Sequence, residues 1–156
     1  SHRENHIGIR AFEPEEPNLA ARYLGETAYA AYRQKNGLQA ERWIAVAETE
    51  AISNYLRWPH QNHPNQVVVT VDRPRSMLDL ARAGAGMAVL PCFIGDLDPM
   101  LERAGGEIAE LRHKQWLVTH NDDRSRREIR TLSDRMARLL KSHADVFAGK
   151  RPSRTG

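Results

Sequence analysis

Two hydroxyl side chains follow predicted strands, and they are the residues of this 156-residue chain best placed to hold a small ligand. Thr49 follows the apolar segment Trp43–Val46, and Ser76 follows the β-branched run Val67–Val71. Each is expected where a strand passes into a helix, so that a hydroxyl and unpaired backbone N–H groups face the same space. Plain helix capping explains each hydroxyl equally well on its own. Together they predict a site for a small polar or anionic ligand, without a catalyst.

The residues that could support catalysis or bind a metal lack the patterns that those chemistries need. His60 and His63 lie in the proline-bounded segment PHQNHP without a helical i, i+4 pair or an evident third ligand, so a surface loop is expected. Cys92 follows Pro91 and has no histidine assignable to it, so a small buried hydrophobe is expected. No nucleophile-elbow pattern surrounds the serines Ser53, Ser76, Ser125, Ser133, Ser142 and Ser153. We therefore predict no enzyme, no metal site and no cofactor, with a small enzyme on this scaffold left open.

Two further features invite a phosphate-binding interpretation. The segment Gly84–Gly86 closes a predicted helix and enters a strand, which is the reverse of a phosphate-binding loop, so it indicates helix termination. The last predicted helix is basic, but Glu128 and Asp134 dilute its charge and a solvated face is favoured. Its basic residues are Arg124, Arg126, Arg127, Arg130, Arg135, Arg138 and Lys141. No DNA-binding motif is present, so we expect no DNA contact by this chain.

The composition fits one ordinary globular domain, since 40% of the residues are hydrophobic and 28% are charged. The formal charge is only +3 and the basic residues are spread along the chain. The single cysteine excludes an internal disulfide and suits a reducing cytoplasm. No apolar run approaches the ~18 residues of a membrane span, and the first residues lack the apolar part of a signal peptide. We expect a cytoplasmic protein that contacts no membrane.

A strand, a capped turn and an amphipathic helix recur after residue 39. In the first unit Thr49 is the expected N-cap, and Pro59 is expected to stop the helix. In the second, Ser76 and Asp79 read as a capping box and Gly84 as the helix end.

The third unit is expected to contain a strand over Met87–Leu90 that Pro91 breaks. A helix then begins at the N-cap Asp98 and ends at Gly105. Strands that alternate with helices predict an α/β sheet with mainly parallel neighbours, whose ligands lie beyond the carboxyl ends of the strands.

The two ends of the chain add further elements. IGIR reads as a strand near the start, while the pattern of residues 13–37 fits a strand and a helix equally well. KQWLVTH reads as a strand, and a final helix from about Arg126 to His143 is capped by Ser125 and Glu128. The apolar face of this helix is expected at Ile129, Leu132, Met136, Leu139 and Leu140.

Three stretches also resemble a known family. These are IGIR with its proline-rich turn and LAARYLGETAYAAY, then SMLDLARAGAGMAVLPCFIGD, then KQWLVTHNDDRSRREIRTLSDRMARLL. They resemble the effector-binding domain of LysR-type transcriptional regulators over nearly the whole chain. The resemblance implies a periplasmic-binding-protein-like (type 2) α/β fold, in which two crossing strands join two subdomains and the inducer binds between them. It also makes LGETAYAAY a crossing strand.

The resemblance further implies which residues contact the effector. Arg10 and Phe12 would border the cleft from one subdomain, and Pro91 and Cys92 would lie near the second crossing. The remaining candidates, from the other subdomain, are Glu48, Thr49 and Ser76. The acidic pair Glu48 and Glu50 departs from a family whose inducers are often carboxylates. Either Arg10 offsets this charge, or the ligand is neutral or cationic.

The resemblance implies a fragment with one complete α/β subdomain and part of the second. The expected divisions are 1–25 for partial subdomain I, 26–105 for subdomain II, 106–148 for the return to subdomain I, and 149–156 for a disordered tail. Exposed edges on the partial subdomain would be covered by a partner chain or by non-native packing. The implied function is sensing of a small-molecule effector by a homodimer or homotetramer that reaches DNA only through a helix-turn-helix outside this chain. A solute-binding protein of the same fold is the alternative.

Overall fold

The computed structural model describes residues 7–37, 40–124 and 126–150. Their strands are β1 (Ile7–Arg10), β2 (Leu19–Thr27), β3 (Tyr29–Gln34), β4 (Trp43–Val46), β5 (Val67–Val71), β6 (Ala88–Pro91), β7 (Leu101–Glu107) and β8 (His113–His120). The α-helices are α1 (Asn54–Asn62), α2 (Pro74–Arg82), α3 (Cys92–Gly95), α4 (Asn121–Arg124), α5 (Arg127–Ser142) and α6 (Ala144–Phe147), with 3-10 turns at Glu48–Glu50 and Ala109–Leu111. Two compact units result: unit 1 contains the described residues of 1–27 and 113–156, and unit 2 those of 28–112.

The sheet of unit 2 combines parallel and antiparallel strands. β4 pairs in parallel with β5, and a parallel bridge between Trp43 and Met87 continues the sheet to β6. β3 runs antiparallel to both β6 and β7. The prediction of mainly parallel neighbours is therefore wrong outside β4, β5 and β6. β3 precedes the strand–helix units and lies between β6 and β7, so the alternation of strands and helices describes only β4, β5 and β6.

The centre of unit 2 is apolar because its middle strands have no polar side chains. Every residue of β4 and of β6 is buried, as expected for strands covered on both faces. β5 alternates between half-buried and exposed residues and forms the edge. Tyr32, Ile44 and Met77 are among the largest fully buried side chains.

Unit 1 is a three-stranded antiparallel sheet, in the order β1-β8-β2, on which α5 packs. Its core contains Leu24, Leu117 and Ala137. The segment that pattern alone left open is extended, as the family resemblance implied: β2 and β3 follow each other with only Ala28 between them. None of the described helices has the length and apolar character needed to cross a bilayer.

The helix starts of unit 2 differ from those predicted. Thr49 lies in a 3-10 turn, and the N-cap of α1 is Ser53. Pro59 does not end α1 but lies inside it, because its ring is fully buried and the packing outweighs one lost backbone bond. α2 starts at Pro74, whose fixed φ suits the first helical position.

The capping box predicted for Ser76 and Asp79 is therefore wrong, because no side chain caps α2. Asp79 instead forms an ion pair of 3.4 Å with Arg75. The helix end at Gly84 is confirmed, since Gly84 has a positive φ of 83° directly after the C-cap residue Ala83.

The helix predicted from Asp98 to Gly105 is wrong. Asp98 accepts a bond of 2.8 Å from the backbone N–H of Met100 and so forms a turn, and Gly105 lies within β7. Pairing with β3 buries Leu101, and this tertiary contact outweighs the local helical preference of the segment.

The last helix is confirmed in extent but not in its details. Its N-cap is Arg126, with no side-chain cap bond, and the predicted cap Ser125 lies outside the described residues. Leu132 and Leu139 are 49% and 61% exposed, whereas Ser133 and Ala137 are buried. The buried face of α5 is thus rotated relative to the apolar face that the sequence predicted. Of the predicted disordered tail, residues 151–156 lie outside the described part of the chain.

Candidate functional site

The carboxyl ends of β4 and β5 meet at one edge of the unit 2 sheet. There the backbone N–H of Ala47 donates a bond of 2.9 Å to the carbonyl of Val71. The connections that follow the two strands, residues 47–50 and 72–76, therefore begin side by side, and we call them the strand-end face. Thr49 lies on the first connection and is exposed, and Ser76 lies on the second and is half-buried.

Backbone N–H groups contribute less to this face than the sequence suggested. Pro74 at the start of α2 has no N–H, and the N–H of Ser76 donates to the carbonyl of Arg73 at 3.1 Å. On the other connection, the N–H of Glu50 donates to Ala47 at 2.8 Å. Because these donors are absent or already used, the face is poorly suited to cradle an anion.

His60 of α1 contacts residues at the end of β4 and on the first connection. Its Nε2 lies 2.7 Å from the carbonyl oxygen of Val46, and its Nδ1 lies 3.5 Å from Oε1 of Glu48. The side chain of His60 is only 12% exposed, against 78% for Glu48. With Nε2–H donating to the carbonyl of Val46, Nδ1 is the ring nitrogen that faces the carboxylate of Glu48.

The surface-loop prediction for the two histidines is wrong. His60 lies in the last turn of α1, and His63 stacks on Trp43 with ring centroids 4.7 Å apart. No sequence signal links His60 to Glu48, because the contact joins residues on different elements. Among the described residues, no group of three histidine, cysteine, aspartate or glutamate side chains could hold a metal ion.

The charged residues of the strand-end face do not favour an anion. Glu48, Glu50 and Asp72 carry exposed carboxylates, whereas the basic residues are Arg73 and Arg75. Arg75 is already paired with a carboxylate on its own helix. The face is therefore rich in hydrogen-bond acceptors, and it suits a ligand that donates hydrogen bonds.

The candidates of unit 1, Arg10 and Phe12, lie together around an open concavity of about 640 Å³ formed by residues 10–16. Phe12 is 77% exposed. Arg10 forms an ion pair of 3.4 Å with Glu16, so its charge is offset within its own loop. Backbone hydrogen bonding in the loop and the charge of Arg10 lower the pKa of Glu16.

The last two candidates, Pro91 and Cys92, are buried in the core of unit 2. The Sγ of Cys92 lies 3.6 Å from Nη2 of Arg103, and burial raises the pKa of the thiol. Cys92 therefore behaves as the buried hydrophobe that the sequence also suggested, and it has no open reactive face.

Cys92 borders a buried polar group that sequence reasoning missed, the Asp96 network, which consists of Tyr32, Cys92, Asp96 and Arg103. Arg103 donates to both carboxylate oxygens of Asp96, at 2.9 and 2.7 Å. The hydroxyl of Tyr32 donates to the same carboxylate at 2.6 Å. Burial and this bond raise the pKa of Tyr32, and the bond to Asp96 raises the pKa of Arg103, so the donors keep their protons. The network is a structural element of unit 2.

No family model and no curated protein matches the sequence. Solved structures do match. The regulatory domain of CrgA, a LysR-type regulator from Neisseria meningitidis, aligns with a TM-score of 0.62 and 19% identity over 86% of this chain and 74% of its own. The CcmR regulatory domain of Synechocystis PCC6803, solved in complex with 2-PG, aligns with a TM-score of 0.61 and 14% identity over 88% of this chain and 74% of its own. The AmpR effector binding domain of Citrobacter freundii aligns with a TM-score of 0.59 and 17% identity over 88% of this chain and 75% of its own.

At these identities the likeness shows the fold. The chain has the type 2 periplasmic-binding-protein-like fold of LysR effector-binding domains, and the predicted fold class is confirmed. It spans about three quarters of the regulatory domains that it matches, and 52% of CrgA in the longer structure of that regulator.

Proposed function

We propose that this chain is the effector-sensing part of a LysR-type transcriptional regulator and that its strand-end face contacts the effector. The observation that carries the proposal is the shared fold over 86% of the chain, combined with hydroxyls on both connections at one sheet edge. Thr49 and Ser76 supply those hydroxyls, and ligands of open α/β sheets bind at such edges. No catalytic role is assigned to any residue.

The rest of the regulator belongs to the same proposal. Unit 2 corresponds to regulatory subdomain II, for which the sequence predicted residues 26–105, and unit 1 corresponds to the described part of subdomain I. The whole protein acts in the cytoplasm as a homodimer or homotetramer, and a separate helix-turn-helix contacts DNA. An effector needs a coupling free energy of only ~1–3 kcal/mol to shift such an assembly.

The charges of the face set the ligand class in this proposal. Three carboxylates of the strand-end face outnumber its two guanidinium groups. Pro74 has no N–H, and the N–H groups of Glu50 and Ser76 already donate to backbone carbonyls. A carboxylate effector would be repelled there, because like charges raise the cost of binding. The effector is therefore neutral or cationic and donates hydrogen bonds to Thr49, Ser76 and the acidic residues.

A ligand titration with a matched pair of variants tests the assignment. Small amines, amides and polyols are screened against the chain by thermal shift, and each hit is titrated by calorimetry. Removing the hydroxyl in Thr49→Val should weaken binding by about fivefold to tenfold, which corresponds to one hydrogen bond of ~1 kcal/mol. Thr131→Val, an exposed threonine of α5 in unit 1, is the control and should leave the affinity unchanged.

Equal affinity of the Thr49→Val variant and the unaltered chain would remove the strand-end face from the proposal. If only carboxylates bound in the screen, the proposal that the effector is neutral or cationic would be overturned. The coding sequence upstream distinguishes the regulator from a solute-binding protein of the same fold, because a helix-turn-helix supports the former and an export signal the latter.

A further inference from the structure

A small cavity lies within unit 1, between the sheet and α5, and none of its lining residues belongs to the strand-end face. Its volume is about 90 Å³. Its lining residues are Ala20, Ala21, Arg22, Leu117, Thr119, Ile129, Arg130 and Ser133. Because it is formed by three elements of one unit, the cavity belongs to unit 1 alone.

The cavity exists because small side chains meet where α5 crosses the sheet. Ala20 of β2 lies opposite Thr119 of β8, and Arg22 lies opposite Leu117, so these four side chains share the face that α5 covers. Ser133 points to the same face from α5 and is only 6% exposed. Larger apolar residues at these positions would fill the space.

Two hydroxyl side chains line the cavity. Thr119 and Ser133 are each only 6% exposed, and both belong to the lining. Neither hydroxyl oxygen is among the fully buried atoms that lack a partner, so both are open to the cavity and can donate a hydrogen bond to a polar group inside it.

The charges around the cavity favour a negative group. Arg22 donates a hydrogen bond to the carboxylate of Asp134, and this bond lowers the pKa of Asp134. The pair leaves little net charge. Arg130 also lines the cavity, and it has no carboxylate within ion-pair distance among the residues that the structure describes. Arg130 also acts electrostatically on Asp134, so two guanidinium groups, Arg22 and Arg130, stand against one carboxylate here and the net charge is positive. The nearby start of α5 has the same sign.

We propose that this cavity binds a small monocarboxylate of about two to four carbons, a size set by room for only a few water-sized groups. The carboxylate accepts hydrogen bonds from Thr119 and Ser133 and pairs with Arg130. The short alkyl chain lies against Leu117 and Ile129. This site is independent of the proposed function, since it uses another unit and the opposite ligand charge.

The test uses propionate as the probe and propionamide as its neutral counterpart, followed by ¹H–¹⁵N NMR of the full chain. Propionate should cause saturable shifts at the backbone amides of Thr119 and Ser133, and propionamide should bind at least about tenfold more weakly. Arg130→Gln should weaken propionate binding by about tenfold or more, because it removes a charge-assisted bond. Arg135→Gln, an exposed arginine of the same helix outside the cavity, is the matched control and should change the affinity by less than about twofold.

Two variants of Ser133 separate binding from folding. Ser133→Leu fills the cavity and should abolish binding, while Ser133→Ala keeps the space and should only weaken it, with a dispersed NMR spectrum to report that either variant is folded. The proposal is overturned if propionate gives no saturable shift, if propionamide binds equally well, or if a folded Ser133→Leu variant binds normally. Thr49→Val should leave propionate binding unchanged, so a failure here is distinct from a failure of the strand-end face.

Discussion

Replacing Asp96 with asparagine should strongly destabilise unit 2. Asp96 and Arg103 are 5% and 12% exposed in their side chains, and the two N–H···O bonds between them are bidentate. The asparagine side chain would keep one acceptor oxygen but lose the negative charge, so the buried guanidinium of Arg103 would lose the charge of its bidentate partner. Removing one partner of a buried ion pair costs about 3–5 kcal/mol, and we expect the lower end because the amide oxygen can still accept from Tyr32.

Urea unfolding measures this loss. In a Trp116→Phe background, the remaining tryptophans Trp43 and Trp58 both belong to unit 2, so their fluorescence follows that unit. With a slope of ~2 kcal/mol per molar urea, a loss of ~3 kcal/mol lowers the midpoint by about 1.5 M. Asp96→Asn combined with Arg103→Met should be less destabilised than the two single changes predict together, because no charge is then left unpaired.

An exposed ion pair provides the control for this experiment. Asp79 lies 3.4 Å from Arg75 on α2, and their side chains are 57% and 75% exposed. Asp79→Asn should therefore cost no more than about 0.5 kcal/mol. A shift for Asp96→Asn as small as that of the control would refute the argument that the Asp96 network stabilises unit 2.

Two further predictions concern stability. Gly84→Ala should lower the free energy of unfolding by about 1–2 kcal/mol, because Gly84 has a φ of +83° that residues with a side chain rarely adopt. Thermal unfolding should show a Tm lowered by several degrees, and an unchanged Tm would contradict this prediction. Glu107 accepts two bonds from Arg112, at 2.9 and 2.6 Å, and these lower its pKa from the ordinary value of 4.5. The ion pair of Glu107 and Arg112 therefore stabilises the fold above pH 4.5, and this contribution is lost as the pH falls below that value. In the Arg112→Gln variant the urea midpoint should fall less steeply below pH 4.5 than in the unaltered chain. Identical pH profiles of the two proteins would count against a contribution from this ion pair.

The strands β4 and β5 of unit 2 could be predicted because their signal is local and strong, whereas the segment of β7 reads locally as a helix. Trp43–Val46 and Val67–Val71 are apolar runs of the right length, and both form strands with the predicted bounds. The ends of the helices were predicted less accurately than the strands. Pro59 reads locally as a helix stop, yet it is buried inside α1, and Ser76 reads as a cap although Pro74 already starts its helix. In each case a tertiary or neighbouring constraint outweighed the local rule.

Part of the candidate site follows from topology and part of it does not. Parallel neighbours place their carboxyl ends together, so Thr49 and Ser76 could be assigned to one edge from the strand pattern alone. The contact of His60 with Val46 and Glu48 joins α1 to the strand end, and no pattern of sequence spacing predicts it. The burial of Cys92 agrees with its interpretation as a small hydrophobe, but its contact with Arg103 joins α3 to β7, and no motif reveals that contact.

The net charge of the chain does not indicate the charge of its ligands. The formal value of +3 averages two surfaces of opposite character. On the strand-end face the carboxylates of Glu48, Glu50 and Asp72 outnumber the two arginines, while much of the excess of basic residues lies on α5 of unit 1. Ligand charge is decided by groups within a few ångströms, because salt screens exposed charges beyond about 8–10 Å. Under the two proposals, unit 2 selects a neutral or cationic molecule and unit 1 selects a small anion. Raising the salt concentration should weaken the binding of propionate to unit 1.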